Sequence, residues 1–125
     1  SNLGGNCPNV WPSELKGEDR QRAIINIFTR MRYLQPSGDL DFSVKDGPTS
    51  QNSYLIPWFN FKGALIRKER ILFGHWSSLG LVIRKKFVSL DTGCGRGELL
   101  TAIRLGDNRV FSTQVIDDML PTSCV

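Results

Sequence analysis

Histidine occurs once in this chain, at position 75, and cysteine three times, at positions 7, 94 and 124. So sparse a set excludes a zinc knuckle or a Cys-x-x-Cys redox pair, because no two of these residues stand at ligand spacing. An odd number of widely separated cysteines also excludes a disulfide framework and predicts a reducing, cytoplasmic compartment. No apolar run approaches the length of a membrane span, and no charged-then-apolar leader precedes the first turn, so the sequence predicts a soluble protein with no membrane partner. Repeats and low-complexity tracts are missing too, which rules out solenoids and arrays.

What the chain does have is material for a core. Its 125 residues are 40% hydrophobic and 22% charged, with seven Phe and three Trp. That composition predicts one modest packed domain over residues 1–125 rather than a disordered segment. Sixteen Lys and Arg against twelve Asp and Glu leave a net charge of +4. Such a balance favours a polyanionic ligand without supplying the dense basic face of a dedicated nucleic-acid binder. The cations gather at Arg20/Arg22, Arg30/Arg32, Arg67/Lys68/Arg70 and Arg84/Lys85/Lys86, and each cluster reads first as a solvated edge or turn. The chain starts Ser1-Asn2 rather than with methionine, and reads as a piece of a longer protein with a two-residue scar.

The predicted class is α+β: an N-terminal helix followed by mainly antiparallel sheet. A Gly-, Asn- and Pro-rich loop runs to Pro12. Glu18 and Asp19 sit where a helix dipole favours negative charge, and Ile24, Ile25, Phe28 and Met31 follow at three-to-four spacing, which predicts a helix over 18–31 with those residues as its buried face. Pro36-Ser37-Gly38-Asp39 between Met31-Tyr33 and Leu40-Phe42-Val44 predicts a hairpin. Residues 46–53 read as a surface loop and Pro57-Trp58-Phe59 as a buried anchor after it. Strands are predicted over 70–77, 87–90, 99–105 and 110–115, the last two joined by a hairpin turn at Gly106-Asp107-Asn108. The tail from Asp117 is expected to fray.

The string Phe87-Val-Ser-Leu-Asp91-Thr-Gly93-Cys94-Gly95-Arg96-Gly97 resembles the first motif of class I methyltransferases, whose glycines let backbone approach the methyl donor and lead straight into a helix. Only 28 residues follow Gly97, too few for the crossover units of a doubly wound sheet at about 30 residues each. A glycine-rich bend joining two strands requires none of that missing chain and is the favoured reading. His75 follows a hydrophobic strand and a glycine in Ile71-Leu-Phe-Gly74-His75-Trp76, a position from which a side chain projects at a sheet rim. A neutral imidazole there suits a divalent cation, but on spacing alone a hydrogen-bonded rim histidine is the favoured reading.

Several blocks occur in one order: Asn6-Cys-Pro-Asn-Val-Trp11 with Glu14-Leu15-Lys16-Gly17; Ile27-Phe28-Thr29-Arg30-Met31-Arg32-Tyr33; Pro57-Trp58-Phe59; Phe73-Gly74-His75-Trp76-Ser77-Ser78-Leu79; and Leu90-Asp91-Thr92-Gly93-Cys94. Over about residues 4–115 this ordered set resembles the C-terminal part of the symmetrical bis(5'-nucleosyl)-tetraphosphatases, a branch of the phosphoprotein-phosphatase-like metallophosphoesterases. The resemblance implies a partial metallophosphoesterase α/β sandwich from an enzyme that hydrolyses diadenosine tetraphosphate to two ADP at a two-cation centre of manganese, cobalt or magnesium, with attack by an activated water. It assigns His75 a metal-ligand role. It makes Arg30 and Arg32 candidates for the substrate phosphates, with Arg20 and Arg22 in reserve, since a guanidinium fork matches phosphate oxygens. Asp91 and Cys94 become candidate pocket-lining residues.

Departures from the family pattern are as informative. Gly95-Arg96-Gly97 stands where the family carries a tryptophan and paired glycines, so an aromatic that would stack on adenine is missing. The stretch between Leu79 and Phe87 is slightly short. The blocks Gly-Asp-x-His-Gly, Gly-Asp-x-x-x-Arg-Gly and Gly-Asn-His, which furnish most of the family's metal ligands, are not in this sequence. One histidine does not hold two cations, so the isolated chain is expected to be inactive, to bind no metal, and to expose a sheet face suited to the missing N-terminal half or to self-association. The alternatives are a stand-alone basic module binding nucleotide or nucleic acid and, further behind, a methyltransferase.

Overall fold

The computed structural model describes residues 3–62 and 68–115. Two compact units are distinguished, one ending at Arg67 and the other starting at Lys68. Ser1-Asn2, Arg67 of the third basic cluster, and the tail with Cys124 lie outside the described residues.

The first unit begins with a loop to Lys16 and continues as α1, Gly17–Arg30, with Glu18 and Asp19 in its first turn and Arg30 in its last, each at the end its charge favours. The helix is where it was expected, but its buried face is not. Ala23 and Asn26 are the buried positions, while Ile24, Ile25 and Phe28 point outward, Phe28 at 84% exposure. Hydrogen bonding to the N-terminal loop decides this. Asn26 donates through Nδ2 to the Gly5 carbonyl at 2.9 Å, and Arg30 Nη1 donates to Asn26 Oδ1 at 2.9 Å. A buried amide needs those partners more than an exposed isoleucine needs cover.

Three short strands follow: β1, Tyr33–Leu34, lies between β2, Leu40–Asp41, and β3, Ile56–Pro57, antiparallel to both. The predicted hairpin around Gly38 is therefore present, closed by Gln35 and Asp39. The stretch read as an anchor supplies the extra strand, and Pro57 is tolerated because β3 is an edge.

Tyr33 is fully buried and its hydroxyl closes a network: it donates to the Asp46 carbonyl at 3.0 Å and accepts from Asn52 Nδ2 at 3.3 Å. Asn52 Oδ1 in turn accepts the Thr49 backbone N–H at 2.8 Å. Removing the hydroxyl by Tyr33→Phe is expected to destabilise this unit by about 1–3 kcal/mol, since buried partners lose a hydrogen bond; chemical denaturation measures it. Burial raises the Tyr33 pKa above the usual phenol value, although the Asn52 hydrogen bond opposes the shift. Its contribution is therefore intact below the unfolded-state pKa near 10 and is lost as pH rises through the folded value. An alkaline titration following circular dichroism and tyrosinate absorbance should show Tyr33 ionising only as this unit unfolds.

The second unit contains β4, Ile71–Phe73; β5, Val82–Ile83; β6, Phe87–Ser89; β7, Leu99–Ile103; and β8, Val110–Gln114. The mainly antiparallel expectation needs one correction. β6 is the central strand of a mixed sheet, antiparallel to β5 but parallel to β4, with Ile71, Leu72 and Phe73 opposite Phe87, Val88 and Ser89. The two-residue return strand β5 makes this possible, because it reverses the chain before β6 without a helix. The predicted strand over 70–77 stops at Phe73, and Trp76 and Val88 form the buried core, Trp76 at 1% exposure. β7 and β8 form the predicted antiparallel hairpin, with Leu99 opposite Gln114 and Ile103 opposite Val110. One helix with antiparallel and mixed sheets is the α+β class expected.

Candidate functional site

Parallel pairing has a consequence for chemistry: β4 and β6 end at the same edge. In-register pairing of Phe73 with Ser89 makes Gly74-His75 leave the sheet beside Leu90-Asp91. A Cβ built on Gly74 would lie 3.9 Å from the Asp91 Cβ. Carboxyl ends of parallel strands are where α/β sheets gather ligand groups.

His75 is exposed and has φ of 62°, a left-handed conformation that histidine adopts at a cost of roughly 1–2 kcal/mol. Gly74, which would adopt it freely, does not. The next residue, Trp76, is buried and begins a turn in which Leu79 N–H donates to the Trp76 carbonyl at 2.9 Å. The indole thus anchors the segment on one side and β4 on the other, holding the imidazole out at the rim. Backbone strain maintained in this way accompanies functional positions.

Asp91 Oδ1 accepts the Gly93 N–H at 3.1 Å, which folds the chain into the glycine loop. Gly93 has φ of 83°, a left-handed backbone that favours glycine, and a Cβ there would press on the Glu98 side chain. Cys94–Arg96 makes a single 3-10 turn closed by Gly97, φ 81°, and the chain enters strand β7. No helix follows the loop, so the methyl-donor geometry is not formed; the loop is the bend between strands favoured on sequence grounds. A groove beside it is lined by Leu72, Gly74, Asp91, Cys94, Leu99 and Leu100.

Sequence reasoning missed the polar support behind this loop. Thr92 Oγ1 donates to the Leu99 carbonyl at 2.7 Å, which commits its one proton. The 2.7 Å contact between Thr92 and Thr101 then requires Thr101 to donate, and the 2.9 Å contact between Thr101 and Ser112 requires Ser112 to donate. The period-two spacing of Leu99, Thr101 and Ile103 puts Thr101 on the loop's side of the hairpin and was the available signal.

The structure places His75, Asp91 and Cys94 in this unit and the four candidate arginines in the other. Arg20 stacks over Trp11 at 4.9 Å. Arg22 Nη1 binds Asp19 Oδ1 at 3.0 Å and the Cys7 carbonyl at 3.2 Å. Arg30 spends both terminal nitrogens within its unit, on Asn26, the Gly5 carbonyl and Asn6, and lies over Phe42. Arg32 is half-buried at the end of the helix turn. Arg96, where the family has an aromatic, forms an exposed 3.6 Å ion pair with Glu98, of a kind worth little. Cys7 and Cys94 are free thiols.

Among the described residues no three His, Cys, Asp or Glu side chains converge on a possible metal position. No described helix is long and apolar enough to cross a membrane.

Gly74-His75 and Leu90-Asp91 follow the carboxyl ends of adjacent parallel strands, a position where ligand groups gather in α/β sheets. Over 106 residues, 85% of its length, the chain is 42% identical to "bis(5'-nucleosyl)-tetraphosphatase, symmetrical" of Burkholderia mallei (strain SAVP1), and equally to proteins so named from Burkholderia pseudomallei strains K96243 and 1710b. The chain spans 38% of the length of each. No protein-family model matches it. The chain is a sequence relative of the symmetrical bis(5'-nucleosyl)-tetraphosphatases, matching a part of their length.

Proposed function

We propose that this chain is the C-terminal part of a cytoplasmic, metal-dependent hydrolase that splits diadenosine tetraphosphate symmetrically into two ADP. The observation that carries the reading is the 42% identity over 106 residues to proteins of that name. The placement of Gly74-His75 at a strand rim supports it, because the exposed histidine leaves the sheet beside Leu90-Asp91. In this reading His75 donates a ring nitrogen to one divalent cation, and the remaining ligands come from polypeptide beyond this chain. Manganese, cobalt or magnesium would supply the Lewis acidity. Asp91 and Cys94 line the pocket floor, and the hydroxyl chain Ser112–Thr101–Thr92 fixes the loop that carries them. Arg30 and Arg32 remain the candidate phosphate contacts, with Arg20 and Arg22 in reserve, because a guanidinium fork matches phosphate oxygens. The intact gene product should convert diadenosine tetraphosphate with added manganese to ADP alone; ATP and AMP as products would refute symmetrical cleavage.

The apolar side of the β7–β8 hairpin supports a missing partner. Leu100 is 56% exposed, Leu105 67% and Phe111 47%. Exposed apolar side chains grouped on one hairpin mark an interaction surface. The rest of the full-length protein is the proposed cover. The chain alone should therefore self-associate, and light scattering should report a mass above that of one copy; a monodisperse monomer would contradict this.

A further inference from the structure

We propose that the second unit carries an oxyanion site at the amino end of β4, away from the His75 rim. Arg70 precedes β4, and the tight β5–β6 turn brings Arg84 and Lys85 beside it, because Ile71 N–H donates to the Lys86 carbonyl at 3.0 Å and Arg84 N–H to the Phe87 carbonyl at 2.9 Å. The tip of the β7–β8 hairpin completes the depression with Asn108, which has φ of 59° and whose Oδ1 accepts from Arg70 Nη1 at 2.5 Å. Ile83 forms its apolar wall.

Three cations thus converge on one concave spot, and among the described residues no carboxylate forms an ion pair with Arg70, Arg84 or Lys85. Asp107, the nearest hairpin acid, is committed to Arg104 at 2.9 and 2.5 Å and to the Arg109 N–H. Glu69 is exposed beside Arg70 and makes no ion pair among the described residues. The Arg70 guanidinium is half-buried, donates once, to Asn108, and its Nε is shielded from water without an acceptor. Guanidinium donors left unpaired are costly, and a phosphate offers two acceptor oxygens that a planar guanidinium fork fits. Arg84 spends one nitrogen on the Ile83 carbonyl at 3.1 Å and keeps the others; Lys85 adds an exposed charge.

The strand separates this site from His75 by on the order of 15 Å, at about 3.3 Å per residue. No aromatic lines the depression, so the ligand is recognised by its phosphates, and a nucleobase adds nothing. The same chemistry is offered by inorganic polyphosphate and by the polyphosphate of a nucleotide. Calorimetric titration of the intact gene product, with chelator in place of metal and at low ionic strength, distinguishes them. Inorganic tripolyphosphate and ATP should bind with equal affinity; a tenfold preference for ATP would contradict a site that reads phosphate alone. Arg70→Met and, separately, the double change Arg84→Gln with Lys85→Gln should each weaken tripolyphosphate about tenfold or more, while His75→Asn leaves it unchanged. The double variant touches only exposed side chains and folds as the parent does, which covers the case in which Arg70→Met does not fold. No tripolyphosphate binding in the parent, full binding in the double variant, or loss of binding in His75→Asn would overturn the proposal.

Discussion

Replacing His75 by asparagine in the intact gene product is expected to lower manganese-dependent hydrolysis of diadenosine tetraphosphate by at least about a hundredfold, since even the residues that merely orient metal ligands are worth 10- to 100-fold. Asparagine is the informative substitute because it tolerates the left-handed backbone that His75 occupies, whereas alanine would add a conformational penalty of its own. The imidazole is exposed, so stability should change by no more than about 0.5 kcal/mol. Steady-state kinetics and a thermal melt on the same preparation make the comparison. Hydrolysis at the parental rate would remove His75 from the site.

One position further along, the expectation inverts. Trp76→Ala should destabilise the second unit by about 3–5 kcal/mol, the usual cost of emptying a buried aromatic site. Trp76 is 1% exposed and is the largest fully buried side chain in the structure. A core this small supplies no more than about 3–5 kcal/mol in total, so the substitution should leave the unit unfolded at room temperature and remove its near-ultraviolet circular dichroism. Trp76→Phe, which keeps most of the apolar volume, should retain a cooperative melt at a lower temperature. Adjacent residues of one segment would then separate chemistry from folding: loss of activity without loss of structure at His75, and loss of both at Trp76. A cooperative, near-native melt for Trp76→Ala would mean that the indole is not the anchor of the rim.

The legible parts of this molecule were those in which a local signal and the tertiary arrangement agree. The α1 helix, the Gly38 turn and the β7–β8 hairpin each carry their own dipole charges or turn residues, and each appears within a residue or two of its expected bounds. The face of α1 was misread because apolar periodicity assumes burial of apolar residues, while the buried positions here are Ala23 and Asn26, selected by a hydrogen bond to Gly5. Parallel pairing of β4 with β6 was not legible. It depends on β5, a return strand of two residues too short to show a pattern. That pairing is also what brings Gly74-His75 beside Asp91, so each of these candidate residues could be picked out along the chain while their juxtaposition could not. The strained residue was likewise hidden, since a glycine directly precedes His75 and is the natural candidate for a positive φ that the histidine takes instead.

The central claim is that His75 is one ligand of a two-cation centre whose other ligands lie outside this chain. Equilibrium dialysis with manganese measures it most directly. Two ions per polypeptide are predicted for the intact gene product, a weakened or missing ion for its His75→Asn variant, and none for the 125-residue chain by itself. Manganese held by the chain alone, or an undiminished complement in the His75→Asn variant, would contradict it.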